Sequence, residues 1–234
     1  MEGPQAVAPT HGAEKSAEKS ETVAVGHSSV VDISFAPASA ADDAALVTRL
    51  TDLINVVYSE AETGFWKGGF VRTTQEEVRE LLRAGEIALA WARPQTATRA
   101  TAAGEHNHND NNQDDAARSE VLVGCIRVHL LDPHTGEFGM LACDPAHRGS
   151  GVGRALLRFA EDAIRRRGAA TIRLELLVGD GWTHDFKARL GRWYEREGYA
   201  VVRTSSVWDS TPHLAPLLAG PSLFQVYQKK VAAE

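Results

Sequence analysis

Residues 138–155 read FGMLACDPAHRGSGVGRA, and this run constrains the fold more than any other part of the chain. An apolar, strand-like segment ends at Asp144-Pro145, a basic residue and three alternating glycines follow, and an amphipathic helix starts at once. A strand end and a helix start must therefore meet at one corner of the molecule. The first N–H groups of a helix lack intrahelical acceptors and sit at the positive end of its dipole. Backbone amides freed by Gly149, Gly151 and Gly153, backed by that dipole, make a cradle able to grip a pyrophosphate without a metal.

The flanking elements follow from periodicity. Val152, Ala155, Leu156, Phe159, Ala160, Ala163 and Ile164 recur at helical spacing, with Arg158, Glu161, Asp162, Arg165 and Arg166 facing away, which predicts a helix ended by Gly168. In residues 170–178, Ile172, Leu174 and Leu176 alternate with Arg173 and Glu175, the pattern of a strand. Strand, helix and strand form a crossover between roughly parallel neighbours. Residues 121–131 and 137–143 read as an antiparallel pair turning through Pro133, His134, Thr135 and Gly136.

Residues 30–35 read as a first strand, and Ser39-Ala40-Ala41-Asp42 resembles a capping box for a helix with Leu46, Leu50, Leu53 and Val57 on one stripe. Thr74-Gln75-Glu76-Glu77 is a second such box, and Gly85 a stop. Strands at 86–92, 199–204 and 223–229 and a helix over 185–197 complete the reading, an α+β sheet protein with six or seven strands and about four helices. Residues 1–29 carry almost no bulky apolar groups and are expected to be a disordered tail. One domain then spans 30–234, with a polar low-complexity loop insertion at about 94–119.

Three phosphate-binding patterns compete for the glycine run. A Walker A loop needs Lys-Ser/Thr after its last glycine, and here Arg154-Ala155 follows. A dinucleotide fingerprint starting at Gly149 needs glycine where Arg154 stands, although Glu175 could serve as its ribose acid. The third pattern, arginine and alternating glycines, is met by Arg148-Gly149-Ser150-Gly151-Val152-Gly153.

With that loop, Asp144-Pro145, the amphipathic helix, the Leu-Glu-Leu strand and Trp193-Tyr194-Glu195-Arg196-Glu197-Gly198-Tyr199 in order, the chain resembles the GNAT family of acetyl-CoA-dependent N-acetyltransferases. The resemblance covers about 31–231 and is most specific over 137–199. It implies a central mixed, mostly antiparallel sheet and acetyl-CoA as co-substrate. Its pyrophosphate would rest on the amides from Gly149 to Arg154, next to Arg148, Ser150 and Val152. Its pantetheine arm would pair like an added strand along Leu141, Ala142 and Cys143. Tyr194 matches the family's general acid. Many members carry Asn seven residues before that tyrosine, where this chain has Lys187, so that contact does not carry over.

Amine acetylation needs a neutral amine, a stabilised oxyanion and a proton for the leaving thiolate. An alkylammonium with a pKa near ~10.4 is almost wholly protonated at pH 7, so a base or a water path is required. Glu137 is the first candidate and His129, on the neighbouring strand, the second. A backbone N–H near Ala142 or Cys143 is the natural oxyanion donor. For Tyr194, a phenol near ~10 protonating a thiolate near ~8.5 costs about 2 kcal/mol. Cys143 beside the acyl site raises an acyl-cysteine route, but no activating base is evident and direct transfer is expected. Tyr58, Glu60, Glu62, Phe65 and Trp66, with Trp182, His184 and Trp208, are candidate acceptor residues whose acids would suit a cationic amine.

The formal charge of −6 in 234 residues argues against a nucleic-acid partner, and no apolar window is long enough to span a membrane. Cys125 and Cys143 lie in apolar segments and read as reduced thiols of a cytoplasmic protein, with the nucleus possible. His106 and His108 sit in a polar loop, and no metal is expected. The sequence thus predicts an acyltransferase acting on a small-molecule or peptide amine, as a monomer or homodimer. An inactive acyl-CoA-binding module and a nucleotide-binding oxidoreductase stand as alternatives.

Overall fold

A computed structural model describes residues 20–25, 29–94 and 120–231. In chain order the elements are β1 (Glu21–Val25), β2 (Ser29–Phe35), α1 (Ala44–Ala61), α2 (Gln75–Arg83), β3 (Ile87–Pro94), β4 (Val121–Asp132) and β5 (Thr135–Cys143). There follow α3 (Val152–Arg166), β6 (Thr171–Gly179), α4 (Asp185–Arg196), β7 (Ala200–Ser206), the one-turn α5 (Val207–Ser210) and β8 (Ser222–Lys230). The strands form one sheet in the order β1-β2-β3-β4-β5-β6-β8-β7, antiparallel at every pair except β5–β6. The fold is the expected α+β mixed sheet.

Three local outcomes depart from the sequence reading. Residues Glu21–Val25, expected in the tail, form β1 because Val23 lies opposite Val31 in an antiparallel ladder with β2. The first capping box is displaced: Ala38–Asp42 winds as a 3-10 turn, and Asp43 Oδ1 accepts from Leu46 N at 3.0 Å to start α1. Strand β3 extends two residues beyond the predicted 86–92, through Pro94. Residues 1–19 of the predicted tail and 95–119 of the insertion, with His106 and His108, lie outside the described residues. Among the described residues no helix is long and apolar enough to cross a membrane.

The sheet is packed on both faces. Leu46, Val47, Leu50, Ile54 and Val57 of α1 join Val78 and Leu82 of α2 in one core cluster with Leu89, Cys125 and Ala142. Val152, Leu156, Phe159, Ala160 and Ile164 of α3 join Val31, Ala90, Val123, Ile126 and Phe138 in the other. Each fully buried Leu, Ile or Phe contributes roughly 2 kcal/mol of hydrophobic stabilisation. Strand β5 changes sides between these clusters. Met140 adopts φ +45°, and the β4 register skips there, so Phe138 faces the α3 side while Met140 and Ala142 face α1.

The same strand opens the sheet. Strand β5 pairs with β6 only at Thr135, Gly136 and Glu137, whereas β6 continues along β8 to Gly179. From Phe138 onward β5 has no strand partner on its β6 side among the described residues, and a wedge opens between two strands of one sheet. Gly136 fixes its closed end, because a Cβ there would lie 2.4 Å from Ile164 Cγ2.

Candidate active site

The wedge is the upper part of a cleft of about 790 Å³. Its donor wall is β5 and the loop that follows. Asp144 Oδ1 accepts from Ala146 N at 2.7 Å, which turns the chain out of β5. Ser150 Oγ donates to His147 O at 2.6 Å, and Gly149 and Gly151 take φ +79° and +101°. No non-glycine side chain adopts those angles without strain, and Gly151 serves as the N-cap of α3. A Cβ at Gly149 or Gly139 would meet nothing within 4 Å, and one at Gly153 would meet only Cys143 Sγ at 3.4 Å. The loop is thus a bare concavity of amides at a helix N-terminus, and these residues fit a pyrophosphate.

Of the residues singled out in sequence, Leu141, Cys143, Arg148, Gly149, Gly151, Gly153, Arg154, Glu137, His129 and Tyr194 all face the cleft. The side chains of Ala142 and Val152 are buried in the two cores, so these two can offer only backbone, and Ser150 turns both its hydroxyl and its N–H back to His147 O. Two arginines frame the cradle under restraint. Arg148 Nη2 lies 2.5 Å from Glu60 Oε2 on α1, and Arg154 Nε lies 2.8 Å from Glu197 Oε1 at the end of α4.

Tyr194 stands on α4 inside an aromatic cage of Phe138, Trp193, Tyr199 and Tyr227, with ring centroids 4.9–6.0 Å away. Burial drives its phenol far above the ordinary value, with smaller contributions from Tyr58, Cys143 and Tyr227. The Cys143 thiol on the facing wall is pushed up to about 11 by the same desolvation, and Arg148 opposes it only in part. A thiolate leaving beside Cys143 would be destabilised alike, so exposed-solvent values do not set the proton balance here. Tyr58 faces the same space, raised to about 12 by burial against the pull of Arg72.

Glu137 and His129 sit near the closed end of the wedge. Glu137 Oε2 is 2.7 Å from Arg173 Nη1, and its Oε1 is 3.8 Å from His129 Nε2. Burial raises the Glu137 carboxyl although Arg173 pulls it down, and burial lowers the His129 imidazole with help from Arg127. At pH 7 this leaves the imidazole neutral and able to accept a proton. Three residues of extended chain, roughly 10 Å, separate Glu137 from the Met140 bulge, so proton transfer from an amine held at the bulge would need intervening water.

The acceptor side differs from the sequence reading. Phe65 is fully buried against Trp182 and His184 in a small separate core, and Trp208 is exposed away from the cleft. Trp66 instead stacks on Phe70, 4.0 Å between centroids, as one wall. Glu60 is taken by Arg148. Glu62 is buried and doubly held, by Lys187 Nζ at 2.8 Å and Trp66 Nε1 at 2.6 Å. Glu62 is therefore not open to a cationic amine, whereas Glu60 stays exposed in its pair with Arg148. Lys187 carries a sequence signal, since it lies three, four and seven residues before Leu190, Gly191 and Tyr194 on the inward stripe of α4. Its partner, on another element, carries none.

A nearly all-antiparallel sheet split at its one parallel joint, with a glycine cradle at the split, defines an acyl-CoA-type transferase architecture and sets aside the dinucleotide reading. Residues 76–191 match the family model described as acetyltransferase (GNAT) family. That region is a GNAT-family acetyltransferase domain. Solved structures agree on the fold. An aminoglycoside 6'-N-acetyltransferase complexed with coenzyme A is 16% identical, with a TM-score of 0.52 over 82% of this chain and 94% of that one. The protein yncA of Salmonella typhimurium, solved with its cofactor acetyl-CoA, is 15% identical, with a TM-score of 0.52 over 87% and 95%. An aminoglycoside 6'-acetyltransferase type Ii is 20% identical, with a TM-score of 0.50 over 86% and 98%. No curated protein matches the chain in sequence.

Proposed function

We propose that the protein transfers an acetyl, or similar short acyl, group from its coenzyme A thioester directly to a primary amine of a small molecule or peptide. One observation carries this reading: the unpaired edge of β5 runs from Phe138 to the bare glycine loop and passes Tyr194 on the way. Acetyl-CoA supplies the activated acyl group. Amides of Gly149 to Arg154 would hold its pyrophosphate, and the free edge at Leu141 to Cys143 would hold its two arm amides. The bulge at Met140 turns backbone out of the β4 ladder, and an N–H near it would polarise a carbonyl oxygen. Tyr194 keeps its proton until a thiolate forms. Glu137 or His129 draws the amine proton through water.

Cys143 is not assigned a covalent role, because its raised pKa keeps the thiol protonated. Free Cys125 and Cys143 suit a reducing compartment, in keeping with a cytoplasmic enzyme. Release of free thiol from acetyl-CoA with a panel of primary amines, with mass detection of the products, tests the proposal. Amine-dependent thiol release is expected, and Gly151→Trp should abolish it together with coenzyme A binding. Tight coenzyme A binding with no thiol release for any amine would reduce the protein to an acyl-CoA-binding module.

A further inference from the structure

Each carboxylate, lysine and arginine lining the cleft has an opposite charge within 4.0 Å among the described residues, with two exceptions. Arg148 is matched by Glu60, Arg154 by Glu197, Arg127 by Glu86, and Lys187 by Glu62. Glu137 and Glu175 share Arg173. Glu77 has no cation, but it lies in the first turn of α2 and accepts from Thr73 Oγ1 at 2.8 Å. The other exception is Arg72. It is half-buried in the cleft wall, and among the described residues no carboxylate comes within 4.0 Å of it. Its guanidinium lies 5.0 Å from the centroid of the Tyr58 ring and hydrogen-bonds the Tyr58 side chain, which tethers it to α1 and leaves its remaining donors without a carboxylate partner.

Helix α4 locates Arg72 relative to the cradle. Its C-terminal flank, Glu197, binds Arg154 of the glycine loop, while Lys187, ten residues earlier, lies within the electrostatic reach of Arg72. Ten helical residues span roughly 15 Å. Arg72 lines the same cleft as the stacked Trp66 and Phe70 and as Tyr194.

We infer that the acceptor is an amine that also bears a carboxylate, of the amino-acid class, and that Arg72 is the residue that reads the carboxylate. This rests on the transferase reading and narrows it. A carboxylate on the acceptor would exchange water for a charge-assisted contact with Arg72, which has no carboxylate of its own among the described residues. The apolar Trp66–Phe70 wall beside Arg72 suits an aromatic or bulky aliphatic side chain on the same molecule.

The test compares matched molecules differing only in the carboxylate. With coenzyme A present, N-acetylphenylalanine should bind wild-type protein about tenfold or more tightly than N-acetylphenethylamine by calorimetry, the range expected of one charge-assisted contact. In Arg72→Gln, which keeps a polar side chain, that margin should disappear while coenzyme A affinity stays unchanged. Thiol release should rank phenylalanine above phenethylamine in the wild type only. Equal binding of the two products to wild type, or a margin that survives Arg72→Gln, would overturn the inference. A preserved binding margin without thiol release from any amine would count against the transferase reading and leave the role of Arg72 standing.

Discussion

Lys187→Met isolates the most deeply buried charge pair in the cleft. Lys187 and Glu62 are 5% and 7% exposed, and their charged atoms are 2.8 Å apart. At an effective dielectric of about 20 the gross attraction is roughly 6 kcal/mol. Desolvating two ions offsets that by several kcal/mol each, so the pair contributes little net stability. Its removal from one side is another matter. Methionine fills the lysine volume against Phe65 but leaves Glu62 buried with only Trp66 as a donor, and an uncompensated buried charge costs about 3–5 kcal/mol. That is a large share of a total stability of about 5–15 kcal/mol. The double variant Lys187→Met/Glu62→Leu removes both charges and is expected to return to within about 1 kcal/mol of wild type. Urea unfolding of wild type, both single variants and the double variant gives the coupling, which should exceed about 2 kcal/mol. A Lys187→Met protein as stable as wild type, or losses that simply add, would refute the reasoning.

Three further expectations are simpler. Gly136→Ala drives a methyl into Ile164 at 2.4 Å; a loss of about 1–3 kcal/mol in thermal or urea unfolding is expected, with partial recovery when Ile164→Ala is added. Tyr194→Phe should lower turnover by about a hundredfold in thiol-release assays while coenzyme A affinity in calorimetry stays near wild type; full activity would remove Tyr194 as the acid. The Glu137 carboxyl is raised by burial, so its protonated, inactive form persists to higher pH than for an exposed glutamate. If Glu137 is the base, kcat/KM should fall on acidification at a pH above the ordinary carboxylate range, and Glu137→Gln should abolish that limb; an unchanged limb would assign it to His129.

The parts legible in sequence are those with local causes. The β5 terminus, the glycine turn and α3 lie in one unbroken run, where turn chemistry and 3.6-residue spacing act over a few residues. What escaped was decided by distant partners. The segment ETVAV is too short and too weakly apolar to read as a strand, and becomes β1 only because β2 offers it a ladder. Ser39 lost its capping role to Asp43 because the chain leaving β2 first winds through a 3-10 turn. Glu60 and Glu62 read as open acceptor acids, yet Arg148 lies 88 residues from the first and Lys187 lies 125 from the second. The bulge puts positive φ on Met140, a non-glycine residue one position past Gly139, and the skip in the β4–β5 register accompanies it.

Backbone amide NMR of the full chain titrated with acetyl-CoA tests the central claim most directly, because it reads the cradle itself and needs no acceptor. The largest shifts should fall on Gly149, Gly151, Val152, Gly153 and Arg154, with a second group at Leu141, Ala142 and Cys143. Saturable binding that shifts neither group, or no binding at millimolar acetyl-CoA, would contradict the assignment of this cleft to an acyl-CoA thioester.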